Sequence, residues 1–213
     1  MRVVSVNVGL PRKVQARGRI VLTSIYKMPV QGRVAVRRHN LEGDRQSDPR
    51  VHGGPYKAIY LYPSEHYAYW ANELPGADLP FGAFGENLTT EGMHEESAHI
   101  GDQFRIGSAV LQVAQPRMPC FKLVLRFDRS EMPNRFWKSG RSGIYFSIVR
   151  EGELASGYAI EQVAEDPGRV SVADVVRLYK GDTSDCDLFA RALRAPLYGS
   201  WKQEIRSRLA DAI

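Results

Sequence analysis

Cysteine is scarce in this chain. Only Cys120 and Cys186 occur, too few for a disulfide framework and in keeping with a reducing cytoplasm. They form no CxxC pair, and the five histidines make no HExxH motif. His94 and His99, with Glu95 and Glu96 between them, suit a solvated loop better than a zinc site. The spacings of a phosphate-binding GxxxxGK[ST] loop and of a GxSxG nucleophile elbow are also missing. No apolar run approaches the ~20 residues of a membrane span. The opening MRVVSVNVGLPRK ends in basic residues and has no small-residue cleavage site, so no signal peptide is expected. Neither sign of charge dominates: 29 Lys+Arg against 24 Asp+Glu leave a net +5 with histidines neutral. That surplus suits an anionic ligand without naming one.

What is present is an ordinary globular composition, 43% hydrophobic and 25% charged over 213 residues, which disfavours disorder. The length allows one domain or somewhat more. Up to about residue 165 the chain reads mostly as strands punctuated by glycine. Strand candidates are Arg2 to Val8, Arg19 to Tyr26, Lys57 to Tyr62, Gly143 to Val149 and Tyr158 to Val163. Asp102 to Val113 reads as a hairpin turning at Gly107-Ser108. Pro63 fits the first turn of a helix through Trp70, and Phe121 to Phe127 and Met132 to Lys138 are further helical segments. After Asp166-Pro167-Gly168 the period changes. Ser171 and Asp174 resemble a capping box, Val172, Val175, Val176 and Tyr179 recur at helical spacing, and Gly181 is placed to stop the helix. Helices at Asp185 to Arg194 and Ser200 to Leu209 complete the expectation. The predicted fold is mainly β (α+β), a β-rich body over residues 1–165 followed by a three-helix domain over 168–213.

Chemistry concentrates in Gln115-Pro116-Arg117-Met118-Pro119-Cys120-Phe121-Lys122. Two prolines prevent regular structure around the cysteine, and Arg117 and Lys122 are close in sequence. Cations beside a thiol favour the thiolate, which binds metals or attacks electrophiles. A buried, inert thiol is the competing reading. Cys186, between Asp185 and Asp187, is the poorer candidate. Two loops add possible ligands: LEGDRQ (41–46) leading into VHGGP (51–55), where Gly53-Gly54 lets backbone approach a ligand closely and His52 and Lys57 offer polar contacts, and FGENLTTEG (84–92), where Asn87 offers a paired donor and acceptor. Each loop alone reads better as surface structure than as a site. Tyr60, Tyr62, Tyr67, Tyr69 and Trp70 read as core and helix packing.

Taken in order, LEGDRQ, VHGGP, YPSEHYAYW (62–70), FGENLTTEG and GDQFRIGSAVLQVAQPRMPCFKL (101–123) resemble the MOSC family, named for the C-terminal domain of molybdenum-cofactor sulfurase, and within it the YiiM-type subgroup. The segment 168–213 resembles the helical extension of that subgroup. The resemblance implies a β-barrel body and a molybdenum-cofactor (Mo-molybdopterin) site. It further implies Cys120 as metal ligand and catalytic residue, by analogy with the amidoxime-reducing relatives. A soft thiolate suits a metal already held by dithiolene sulfurs. Asn87 falls where those relatives carry the asparagine of an RPN triplet. Here the triplet is Gly85-Glu86-Asn87, so another cation must meet the cofactor phosphate, with Arg45, Lys57 and Arg117 as candidates beside His52, Gly53 and Gly54. The implied activity is an oxidoreductase that reduces N-hydroxylated small molecules such as 6-N-hydroxylaminopurine. The expected location is the cytoplasm, away from membranes, with an external flavoprotein or other electron donor.

Two rival expectations differ from this one. Cys120 could carry sulfur as a persulfide for metal–sulfur cluster assembly. Alternatively, SVADVVRLYKG and the helices after it could form a helix-turn-helix on DNA, helped by Arg191, Arg194, Lys202, Arg206 and Arg208. The second is disfavoured, because no cluster of base-reading side chains marks a recognition helix.

Overall fold

The computed structural model describes residues 1–16, 18–48, 53–182 and 184–210, the last two by backbone alone. Its main sheet runs in the order β13 (Ile160–Ala164), β9 (Gln103–Ile106), β10 (Ala109–Pro116), β11 (Ile144–Arg150), β7 (Ile59–Pro63), β8 (Leu88–Glu91), β1 (Arg2–Val8), β4 (Met28–Val30). Neighbours are antiparallel except β7 and β8. A parallel pair needs a crossover, and the connection between them carries α1 (Glu65–Glu73). The ends of the sheet meet. Val3 N–H donates to Tyr158 O at 2.9 Å and Gly157 N–H to Val3 O at 2.8 Å, so β1 borders the approach to β13 and the strands wrap into a barrel with few free edges. A small sheet of β12 (Gly152–Leu154), β5 (Val34–Arg37) and β6 (Asn40–Leu41) and a ribbon of β2 (Arg12–Ala16) and β3 (Arg19–Thr23) complete the β structure.

The hairpin forms where the turn signal stands. Gly107 has φ +60°, and a Cβ there would lie 2.3 Å from Glu153 O, so the turn excludes a side chain both by backbone conformation and by space. Two prolines behave differently from expectation. Pro116 ends β10 in register with Ile144, serving as the strand's last residue where a donor is not required. Pro63 ends β7 opposite Thr90, and Ser64 N–H donates to Thr90 O at 2.7 Å. That bond continues the parallel pairing, so the helix starts at Glu65 and not at Pro63.

Short helices α2 (Lys122–Phe127) and α3 (Met132–Ser139) follow β10, and α4 (Val172–Tyr179), α5 (Cys186–Arg194) and α6 (Gly199–Ala210) form the C-terminal tail. The capping box is present: Ser171 Oγ accepts from Asp174 N–H at 3.0 Å, and Asp174 Oδ2 accepts from Ser171 N–H at 3.1 Å. Helices this short need tertiary packing to persist. They find it in one apolar cluster that runs from Val6, Leu61, Leu111 and Phe146 of the barrel to Val175, Leu188, Trp201 and Ile205 of the tail. A second cluster, around Tyr60, Tyr62, Trp70, Phe84 and Phe136, packs beneath α1 and α3. Among the described residues, no helix is long and apolar enough to cross a membrane.

Candidate functional site

Cys120 follows the end of β10 and precedes α2, held where Leu123 N–H donates to Cys120 O at 3.0 Å. It is half-buried and opens into a cleft of about 620 Å³, mouth included, whose walls carry Lys27, Asp44, Lys57, Arg117 and Lys122. Three cations lie within electrostatic reach of its sulfur: Lys57, Lys122 and Arg117. Burial lowers the ammonium groups of Lys57 and Lys122 below their ordinary range, and a thiolate at Cys120 opposes that shift. Lys122 Nζ donates to Ser47 Oγ at 2.7 Å. Lys57 sits on the single turn Pro55–Lys57, entered from Gly54 at φ +93°. Arg117 is buried, donates to Phe84 O, and lies 4.7 Å over the Tyr60 ring, a cation–π contact that keeps its guanidinium in place.

The floor of the cleft is an internally paired network. Asp44 accepts from Gly9 N–H at 2.8 Å and from Asn87 Nδ2 at 2.9 Å, and it forms an ion pair with Lys27. Burial pulls the Lys27 ammonium down, and Asp44 pushes it back up. Asn87 Oδ1 accepts from Tyr60 N–H at 3.1 Å, so this asparagine lines the cleft while bracing Tyr60 and Asp44. Ser24 Oγ, also in the cleft wall, is buried without a hydrogen-bond partner among the described residues.

Behind the floor, Glu86 is fully buried and accepts from Gly82 N–H at 2.8 Å, from Thr89 Oγ1 at 2.9 Å, and from the Tyr67 hydroxyl. Burial raises its carboxyl, with the Tyr67 bond pulling the other way. Glu95 accepts from Gly143 N–H at 2.7 Å and faces His66 Nε2 at 2.9 Å. Burial would raise this carboxyl too, but the His66 contact and the Gly143 bond leave it below the ordinary carboxylate value. Gly143 has to be glycine, since a Cβ would fall 2.5 Å from the Tyr60 hydroxyl oxygen. His94 joins His66 and Glu95 in a group whose ligand-type atoms lie within 4.8 Å of one another, so the loop expected to be merely solvated is tied to the barrel.

Cys120 also lines a second cavity of about 910 Å³, mouth included. Lys57, Met118 and Tyr145 are common to both spaces. The far wall of the second space comes from the tail: Tyr179 of α4 and, from α6 and the residue before it, Trp201, Glu204 and Tyr198.

Among the residues singled out from sequence, the structure brings Cys120, Arg117, Lys57 and Asn87 to one cleft. Arg45 does not join them. Its side chain is exposed, and its backbone N–H donates to Gly9 O at 3.1 Å, so in that loop Asp44, Gln46 and Ser47 face inward. Gly53 and Gly54 shape the approach to Lys57 and are absent from the walls of both cavities. His52 lies outside the described residues. Sequence reasoning missed Lys27, Asp44 and the tail aromatics. Asp44 sat within a quoted motif and was passed over for its neighbour, and Lys27 had no local signal.

A barrel with a single half-buried cysteine at the mouth of a cationic cleft fits the family whose model matches residues 48–161, the MOSC domain. The chain belongs to the MOSC domain family. It is 37% identical to protein YiiM of Escherichia coli over 92% of this chain and 88% of that protein, and 39% identical to the uncharacterized protein YflK of Bacillus subtilis over 94% and 90%. A Gibberella moniliformis protein named reductase is 32% identical over 92% of this chain, which spans 36% of that longer protein. The crystal structure of YiiM from Geobacillus stearothermophilus superposes with a TM-score of 0.79 at 34% identity, covering 98% of each chain.

Proposed function

We propose that this protein is a molybdenum-cofactor-dependent reductase of N-hydroxylated compounds, hydroxylaminopurine-type bases among them, with Cys120 as the metal ligand. The observation that carries the reading is the position of Cys120, where a cation-lined cleft meets an aromatic-lined cavity. One space suits an anionic cofactor and the other a flat substrate. The residues present fit the cofactor: a soft sulfur donor, two lysines to meet a phosphate, and Ser24 Oγ, which has no partner among the described residues, to accept or donate one more bond. When bound, the cofactor supplies the two-electron reduction and the oxygen-accepting metal.

The chain does the rest. Cys120 Sγ would hold the metal. Lys122 and Lys57 neutralise the anionic end, Arg117 adds a fixed positive charge stacked on Tyr60, and Asn87 and Asp44 hold the wall that Tyr60 belongs to. Arg45, exposed and outside the cleft walls, adds only long-range attraction. Lys57 borders both spaces and its ammonium is lowered by burial, so its Nζ can deliver a proton to the oxygen that leaves the substrate nitrogen. Overall, R–NHOH, two electrons and two protons give R–NH2 and water. The electrons come from an external flavoprotein or comparable donor.

Metal analysis of protein from a cofactor-competent host tests this reading. Wild type should carry close to one molybdenum per chain, and Cys120→Ser should lose it while keeping its circular dichroism. The loaded protein with a chemical reductant should convert 6-N-hydroxylaminopurine to adenine. A loaded protein inert towards hydroxylamines and amidoximes alike would sink the reaction, and a sulfane sulfur on metal-free wild type would favour persulfide transfer instead.

A further inference from the structure

A second group of metal-type donors stands apart from Cys120. His66 lies in the first turn of α1, and His94 and Glu95 lie in the loop after β8, with one ligand-type atom of each within 4.8 Å of the others. None of the three lines either cavity at Cys120. In sequence His94 stands nearest to His99, but the fold separates their tasks. His99 Nδ1 faces Asp102 Oδ2 at 3.4 Å, while His94 meets His66 with ring centroids 6.0 Å apart and ring planes inclined at 57°. Tilted rings can each aim a nitrogen at one point.

The carboxylates are oriented in advance. Glu95 Oε1 accepts from Gly143 N–H at 2.7 Å, and its Oε2 stands 2.9 Å from His66 Nε2. Beside the group, Glu65 Oε1 accepts from Gly92 N–H at 2.7 Å and lies 3.5 Å from His94 Nε2. The loop is tied down as well. Ser97 and Ala98 N–H donate to His94 O at 3.1 and 3.0 Å, and Ala173 N–H of α4 donates to Glu95 O at 3.0 Å. Outer hydrogen bonds of this kind fix the side chains that hold a metal.

We propose that His66, His94 and Glu95 form a binding site for a divalent transition-metal ion of the zinc class. Zinc holds imidazole nitrogen and carboxylate oxygen at about 2.0–2.2 Å in a tetrahedron, which sets its donors roughly 3.4 Å from one another. Small side-chain rotations bring this group to that spacing. Three protein ligands leave a fourth position for water, and the Glu65 carboxylate can accept a hydrogen bond from it. Entry is open, since the His94 and Glu65 side chains are 38% and 37% exposed. The ion takes the place of the proton between His66 and Glu95, which leaves to solvent. Nitrogen donors discriminate against magnesium and calcium, which take oxygen shells. Bound there, the ion joins α1 to the loop after β8 and, through Gly143, to the start of β11. In the metal-free protein the His66–Glu95 contact alone remains as the brace. The site depends neither on Cys120 nor on molybdenum.

The test strips the full-length protein with a chelator and titrates it with zinc ion against a chromophoric zinc chelator. Wild type should bind one zinc per chain, and zinc should raise its urea unfolding midpoint. His94→Ala leaves the His66–Glu95 contact in place, so its metal-free midpoint should match wild type. It should nevertheless bind zinc at least about a hundredfold more weakly and lose the rise. Glu65→Gln should weaken zinc about tenfold, as loss of an outer partner does. Cobalt ion in place of zinc should bind without the near-ultraviolet band of a thiolate-to-cobalt bond, and its spectrum should be the same in Cys120→Ser. Zinc held equally by wild type and His94→Ala overturns the site. So does a thiolate band that vanishes in Cys120→Ser, or zinc displaced by equimolar magnesium.

Discussion

In the cationic cleft beside Cys120, Asp44, Asn87 and Arg117 direct their polar atoms to one another and to backbone, as in a finished protein interior. On the tail side, Gln115 lines a cavity, and its enclosed Oε1 has no hydrogen-bond partner among the described residues. The first arrangement keeps cations and walls in position whether or not a ligand is there, which is the preorganisation a tightly held group requires. The second is walled by rings of the tail, Tyr179, Tyr198 and Trp201, which suits a flat molecule that comes and goes. The difference also follows chain topology. The cleft is built from loops stitched together by the barrel, and the other space arises because α4 docks on β10 and α6 packs on α4.

The largest test of this contrast is Asp44→Ala. It leaves Lys27 as a buried charge without its partner and should cost about 3–5 kcal/mol, read as a lower urea midpoint, whereas Gln115→Leu on the other side should cost nothing. Next comes Glu95→Gln, which weakens the brace behind Tyr60 by about 1.5–3 kcal/mol, the scale of a hydrogen bond to a charged group. Because the folded carboxyl sits below its ordinary value of 4.5, its stabilisation is present above the unfolded value and fades as pH falls through the folded one. Wild type should therefore lose stability in that acid window more steeply than the variant, and parallel curves from chemical denaturation would refute the brace. The smallest effect is expected from Ser171→Ala, which removes half of the capping box at about 1 kcal/mol. It should loosen the tail enough to raise the KM for 6-N-hydroxylaminopurine while molybdenum per chain stays constant. Equal losses of both would mean that the two spaces are not separable.

Much of the architecture was legible because its signals are local. The hairpin declared itself by Gly107-Ser108 between alternating apolar residues, α4 by Ser171 and Asp174, and the cysteine segment by prolines that end β10. The very short strands β4, β5, β6 and β12 carry too few residues to show a period. What stayed hidden is non-local. Lys27 and Asp44 lie 17 residues apart with nothing in either neighbourhood to pair them, and Gln115 and Trp201 come to line one cavity only after the whole barrel has closed. Within LEGDRQ the sign of the charge misled: the cation was chosen, yet the exposed Arg45 yields the interior to Asp44, whose partners can saturate it. In the tail, Arg191 and Arg208 are engaged at Gly168 O and Glu204, which composition alone made look like free charge.

Because Cys120 stands in the walls of both cavities, its sulfur is a natural reporter. A small alkylating reagent must reach the thiol through one space or the other, so the rate of labelling records the occupancy of each. Filling either compartment closes one route, and filling both leaves the thiol sheltered. A single chemical handle can thus time the order in which two different molecules arrive.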